Sequence, residues 1–195
     1  MDDEKLKIIE KKLKNVDDEE LKYLIKELIH EHRQLENIAR FDILTGLYNR
    51  RILEKIRDFS VVVMIDVDNF KDVNDNFGHD EGDKTLKYIA KVLFNHTRIS
   101  DIACRFGGDE FCIIFNSCEL DVVLRRMEEI RSEVEMYGNL TKTGVSLSVG
   151  VAVHLDGESL EETMKEADIA LYNSKSMGKN SISIYNEKDK TLKLK

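Results

Sequence analysis

The chain has 195 residues, 42% hydrophobic and 35% charged, with a formal net charge of −8. That is enough for one well-buried domain with at most a small appendage. The acidic balance excludes a general affinity for nucleic acid or for an anionic membrane surface, so a polyanionic ligand has to be held by a few local cations or by metal ions.

The opening MDDEKLK is acidic and lacks the apolar core of a signal peptide. The longest apolar run, Val61 to Ile65, is far short of the ~20 residues that span a bilayer. No membrane insertion is expected. The first forty residues hold no glycine and are dense in lysine and glutamate. Leu6, Ile9, Leu13 and Val16 form one helical stripe; Leu21, Ile25, Leu28, Leu35 and Ala39 form a second, out of phase with the first. Two helices follow, with a break near 15–18 where Asp17 or Asp18 can cap the second. Leu21, Leu28 and Leu35 are seven apart, which is compatible with a short coiled coil; His32 interrupts that seam, and helices folded onto their own domain fit as well.

From residue 41 the pattern alternates. FDILTGLYNRR is a loop that leads into a helix ending near Phe59, and VVVMIDV (61–67) is a β-branched run suited to a central strand. DNFKDVNDNFGHDEGD is polar with cap signals at both ends, and 84–98 is an amphipathic helix. Residues 101–106 and 110–115 are strands joined across glycines, and 119–136 is a helix. The cysteines Cys104, Cys112 and Cys118 form no CxxC pair and are interspersed with strand residues; they read as reduced, core-packed thiols of a cytoplasmic protein. Residues 145–154 form a strand, 159–178 a helix stopped by glycine, and 181–185 a last strand. Five strands with one hairpin make a mixed sheet, covered by helices, in an α+β fold. The organisation expected is a helical extension over 1–40, one domain over 41–186 and a polar tail over 187–195.

Two acidic clusters stand out. Gly107 and Gly108 suit a turn that needs positive φ or a close backbone approach, and Asp109 and Glu110 follow at once. Adjacent carboxylates repel and call for a cation or a proton between them. The second cluster is Asp66 and Asp68, at the end of a strand that is otherwise apolar. Residues two apart point the same way, and Asp68 can also cap the helix that follows. If this strand lies beside the 101–115 hairpin, Asp66, Asp109 and Glu110 converge. Hard oxygens at that density suit Mg²⁺ or Mn²⁺ bridging protein to phosphate. Two such ions about 3.5–4 Å apart activate a hydroxyl and stabilise a leaving pyrophosphate, which is the chemistry of nucleotidyl transfer.

RFGGDEF (105–111) resembles the signature of the GGDEF family, the diguanylate cyclases. DILTGLYNRR (42–51), IDVDNFKDVNDNFGHDEGD (65–83), SLSVGVA (146–152) and ADIALYNSKSMGKN (167–180) resemble further family motifs, in order and without a large gap. The resemblance implies a palm-like sheet of the nucleotidyl cyclase or ferredoxin-like kind. It also implies condensation of two GTP into cyclic di-GMP and two pyrophosphates, with two Mg²⁺ or Mn²⁺ per active site. By position, Asp66 and the carbonyl of Val67 hold metal, Asp109 bridges the ions and takes the ribose 3′-hydroxyl proton, and Glu110 completes the metal shell. Gly107 and Gly108 let the nucleotide pass close to the main chain. Asn74 and Asp83 read the guanine edge. Phe70, through its amide, and Lys71 meet the terminal phosphates. Lys175 neutralises phosphate charge. Lys179 stands where the family usually has arginine and implies a weaker, non-bidentate grip. His79 is read as a structural hydrogen-bonding residue, Gly46 as a turn residue, and Tyr48, Asn49 and Arg50 as fixing the opening loop.

Arg98 and Asp101 lie at the spacing of the family's RxxD inhibitory site for cyclic di-GMP, and Arg125, Arg126 and Arg131 are candidates for its second arginine. Ring closure needs two facing GTP molecules, so the resemblance implies a homodimer, whose geometry the N-terminal helices could set. The alternatives are a cyclase making a mixed cyclic dinucleotide or a mononucleotide, a non-catalytic module sensing GTP or cyclic di-GMP, and a purely structural protein. Asp83 favours guanine, and the intact acids favour catalysis.

Overall fold

VVVMIDVD, Val61–Asp68, forms a strand in which every residue except Asp66 is buried. Its β-branched residues fit a pleated surface covered on both sides. The computed structural model describes residues 8–9, 11–13, 18–55, 60–155, 157–186 and 192–194. In chain order the elements are α1 (Glu19–Arg40), β1 (Tyr48–Asn49), a 3-10 helix (Arg50–Lys55), β2 (Val61–Asp68), α2 (Phe70–Phe77), α3 (His79–His96), β3 (Ile102–Arg105), β4 (Glu110–Phe115), α4 (Leu120–Thr141), β5 (Ser146–Val153), α5 (Leu160–Ser176), β6 (Ile182–Ile184) and β7 (Leu192–Leu194).

The strands make one mixed sheet in the order β1-β3-β4-β2-β5-β6-β7, with β1–β3 and β5–β6 parallel and the other neighbours antiparallel. The α+β architecture is as expected, but the sheet has seven strands instead of five. The two additions are edge strands of two and three residues, too short to display a period of two. β7 lies inside the stretch read as a polar tail; residues 187–191 and 195 lie outside the described residues.

The two faces of β2 bury different sets. Val61, Val63, Ile65 and Val67 pack with Leu86, Ile89 and Leu93 of α3 and with Met127, Ile130 and Val134 of α4. Val62 and Met64 pack with Cys104, Cys112 and Ala167 and Leu171 of α5. Each fully buried aliphatic side chain contributes ~1.5–3 kcal/mol. α5 lies so close over β5 that a Cβ at Gly150 would collide with the main chain of Ala167 and Leu171, so that position needs glycine. Cys104 and Cys112 face each other across β3 and β4, free and fully buried. The hydrogen bond between them and their burial push the Cys112 thiol well up, so it stays protonated.

Local boundaries differ from the sequence reading where turn chemistry intervenes. The stretch after Asn49 is 3-10 rather than α-helical, started by the Asn49 side chain accepting from Arg51 N at 3.0 Å; residues 56–59 are outside the described set. α3 begins at His79, five residues early, because Gly78 at φ 85 separates it from α2. α4 runs on to Thr141 and stops at Lys142 in the left-handed region. α5 opens with a capping box between Ser159 and Glu162, and Gly178, at φ 114, follows its end.

The chain divides into two compact units, Met1–Phe41 and Asp42–Lys195. In the first, Asp18 caps α1 by accepting from Glu20 N (3.0 Å) and Leu21 N (3.1 Å). The expected break at 15–18 otherwise lies outside the described residues, as do the side chains of His32, Leu35 and Ala39. The apolar stripe of α1 splits: Ile25 and Ile29 pack with Ile9 and Leu13, while Leu21 and Leu28 are exposed. Among the described residues no helix is long and apolar enough to cross a membrane.

Candidate active site

In the antiparallel register of β2 and β4, Asp66 stands opposite Glu110, and Val67 N donates to the carbonyl of Asp109 at 3.1 Å. Acids from two distant segments therefore meet at one end of the sheet. From α5, Lys175 Nζ reaches Asp66 Oδ2 at 2.6 Å. Burial pushes the Asp66 carboxyl above its usual range; Lys175 opposes this, and the charges of Asp109 and Asp68 add to it. Glu110 is pushed up by burial and then by Asp66 and Asp109. Asp168 of α5 is pushed up by burial, against the pull of Lys175. Negative charge thus exceeds what the one lysine compensates, and a further cation here is electrostatically favoured.

The turn between β3 and β4 is held from both sides. Phe106 N and Gly107 N donate to the Glu110 carbonyl at 2.8 and 3.1 Å. Neither Gly107 nor Gly108 takes a positive φ, contrary to one reading of the glycine pair. A Cβ at Gly107 would lie 2.5 Å from Glu110 Oε2, so glycine there lets that carboxylate keep its place, while Gly108 faces open space. Arg105 clamps the turn: its Nε and Nη2 donate to the Gly108 carbonyl at 3.1 and 2.7 Å, and its Nη1 donates to both carboxylate oxygens of Asp42 at 3.1 and 3.3 Å. Thr45 donates to Asp42 through its amide and its hydroxyl, and Gly46 at φ 73 closes that loop with its N–H on the Asp42 carbonyl. Burial raises the Asp42 carboxyl, but the bonds from Thr45 and Arg105 outweigh it and hold the group below its usual range. Arg105 and Asp42 had no role in the sequence reading. They are 63 positions apart, and no local pattern pairs them.

A cleft of about 300 Å³ opens beside the turn, lined by Phe70, Lys71, Asn74, His79, Asp83, Leu86, Arg105, Gly108 and Asp109. It joins Phe70, Lys71, Asn74 and Asp83 to the signature turn, as one binding site requires. A Cβ at Gly82 would collide with the Asn74 side chain, so glycine there lets the amide settle against the helix. His79 is exposed at the cleft with no hydrogen bond among the described residues, not a structural hydrogen-bonding group. Lys175 and Lys179 are not part of that lining: Lys175 pairs with Asp66, and Lys179 Nζ donates to Asn69 Oδ1 at 2.8 Å.

Asp68 does not cap the next helix. Its residue is 2% exposed, and its oxygens accept from Ser146, Ser148 and the amide of Asn180. The Arg98–Asp101 loop is also more structural than its spacing alone indicates. Asp101 accepts from Arg98 N at 2.9 Å and from Arg126 Nη1 at 3.3 Å, with its side chain 1% exposed. The Arg98 side chain is at the surface. Of the three candidate arginines, Arg126 is bound to Asp101, Arg131 lies among Glu128, Glu135 and Asn180, and Arg125 donates to the Asp121 carbonyl of its own helix.

A family model described as diguanylate cyclase, GGDEF domain, matches residues 39–181. Diguanylate cyclase DosC of Escherichia coli K12 is 34% identical over 177 residues, 83% of this chain and 38% of that protein. Cyclic di-GMP phosphodiesterase NbdA of Pseudomonas aeruginosa is 34% identical over 178 residues, 83% of this chain and 22% of that protein. The coiled coil and GGDEF domain of Caulobacter crescentus DgcB, solved in complex with c-di-GMP, superimposes with a TM-score of 0.78 at 29% identity, covering 85% of this chain and 95% of that one. The chain belongs to the GGDEF family. It spans well under half the length of these two curated relatives.

Among the described residues, no three His, Cys, Asp or Glu side chains are grouped closely enough to hold a metal ion by themselves. The donor set is nevertheless that of a hard divalent cation: carboxylate oxygens from β2 and β4, under-compensated by one lysine. Mg²⁺ is ordinarily held by one or two carboxylates and completed by substrate phosphate and water, so these residues fit it as a partial shell.

Proposed function

We propose that the domain is a diguanylate cyclase, which joins two GTP into cyclic di-GMP and releases two pyrophosphates. What supports this most directly is that Asp109 lines the cleft together with Asn74 and Asp83, while Asp66 and Glu110 stand opposite each other on the strands that flank it. In this reading Asn74 and Asp83 bind the guanine edge, where a carboxylate accepts from N1–H and the exocyclic amine. The amide of Phe70, with Lys71, Lys175 and Lys179, holds the phosphates. Asp66, the Val67 carbonyl, Asp109 and Glu110 would hold two Mg²⁺ or Mn²⁺, which lower the pKa of the ribose 3′-hydroxyl and offset charge on the leaving pyrophosphate. Asp109 takes the 3′-hydroxyl proton as that oxygen bonds to the facing α-phosphorus, and the bond from that phosphorus to the β-bridging oxygen breaks.

Two such transfers close the ring, so two domains must face each other as an antiparallel homodimer. Arg98 binds the cyclic product and slows turnover, with Asp101 holding its loop in place. The domain works in the cytoplasm, where GTP is made and thiols stay reduced. Incubation with GTP and Mg²⁺, followed by chromatography and mass measurement, is expected to yield cyclic di-GMP and two pyrophosphates per ring, and none from ATP alone. GTP left intact after long incubation would overturn the reading in favour of a sensing module.

A further inference from the structure

Asp68 is a buried carboxylate that no step above uses. Its three donors are the Ser148 hydroxyl at 2.7 Å, the Ser146 hydroxyl at 2.7 Å and the main-chain amide of Asn180 at 2.9 Å. Among the described residues it forms no ion pair. The first two donors fasten it to β5. The third comes from a segment where three consecutive residues, Gly178, Lys179 and Asn180, have φ of 114°, 62° and 45°. Two of these are not glycine; asparagine tolerates that conformation, but a lysine such as Lys179 holds it only where surrounding contacts favour it.

Those contacts are visible. The Asn180 side chain accepts from Arg131 Nη1 at 2.6 Å and donates to Glu135 Oε1 at 2.8 Å, so α4 grips the hook from outside while Asp68 grips it from inside. Arg131 is itself held by Glu128 and Glu135. Lys179 stands between the two grips, and its ammonium reaches Asn69 at the junction of β2 and α2. Asn69, too, is left-handed, at φ 60. It immediately precedes Phe70 and Lys71, which line the cleft.

We propose that Asp68 is a positioning residue: by anchoring the Asn180 amide, with Asn180 and Arg131 as the outer clamp, it fixes the 178–180 hook so that Lys179 is presented at the triphosphate end of the site. This rests on the GTP-binding reading above. It divides the two acids of the IDVD run. Asp66 serves the reacting centre, while Asp68 acts through the main chain of Asn180, 112 positions away in sequence, on the ammonium of the adjacent Lys179.

Calorimetric binding of α,β-methylene-GTP and of guanosine, both with Mg²⁺, tests it without needing turnover. The expected result for Asp68→Ala, its fold checked by thermal melting, is about tenfold weaker binding of the triphosphate with guanosine unchanged. Lys179→Ala should lose a similar factor, and the double variant no more than either alone. Should Asp68→Ala not fold, Arg131→Ala, which leaves the buried Asp68 carboxylate with all its donors, is expected to weaken the triphosphate about threefold and to spare guanosine. Unchanged triphosphate binding in a folded Asp68→Ala, an equal loss for guanosine, or additive losses with Lys179→Ala would overturn the inference. A wild-type protein that binds the triphosphate no better than guanosine would instead overturn the functional reading beneath it.

Discussion

The two ends of β4 treat carboxylates in opposite ways. At its start, Asp109 and Glu110 face Asp66 across the strand pair, and burial and mutual repulsion hold Asp66 and Glu110 above the usual carboxylate range. At its finish, Asp101 is more deeply buried and yet fully engaged, by Arg98 N, Asn116 N and Arg126, whose guanidinium also sits 5.9 Å over the Phe115 ring. One end leaves charge in excess beside a cleft; the other cancels it inside the fold. An acid whose partners are all supplied by its own chain stabilises that chain. An acid left under-compensated beside a cavity costs stability and is kept for something that binds.

The contrast can be broken most sharply at the start of the strand. Asp109→Ala is expected to lower the rate of cyclic di-GMP formation by roughly 10³-fold or more while the melting temperature stays near that of the parent. Activity retained within tenfold would remove Asp109 from the reacting centre. At the other end the sign reverses. Asp101→Ala leaves Arg126 and two amides without their acceptor, and denaturant unfolding should show a loss of about 2–4 kcal/mol. A loss under about 0.5 kcal/mol would mean that water replaces the carboxylate and that the loop is not built around it. The smallest effect is expected at the exposed partner. Arg98→Ala should change stability by no more than about 0.5 kcal/mol and leave the initial rate intact, while inhibition by added cyclic di-GMP is relieved. Unchanged inhibition would leave the RxxD spacing without a function here.

Legibility followed sequence distance. The central strand, the hairpin and the helices that cover them could be read because their signals are local: a β-branched run, a glycine pair, stripes at helical period. The acids of the site were legible for a related reason, since Asp66, Asp109 and Glu110 interrupt or adjoin apolar runs where a charge is costly. The clamps were not. Arg105 with Asp42 spans 63 positions and Arg131 with Asn180 spans 49, and a pair of opposite charges at such separations has no pattern to distinguish it from surface chance. The edge strands escaped for want of length, and of the two readings of the glycine pair only close approach is met, at Gly107 against the Glu110 carboxylate.

Residue order alone determined that two acids would stand at the end of β2 and, with a period of two, that both would point to the same face of the sheet. Which of them would be free to act was decided in three dimensions. The serines of β5 and the amide of Asn180 close over Asp68, while Asp66 pairs with the lysine of α5 and stands amid the charges of Asp109 and Asp68, opposite Glu110. That choice depends on what the neighbouring strand and a distant loop bring to the same few ångströms, and it exists only once they have packed.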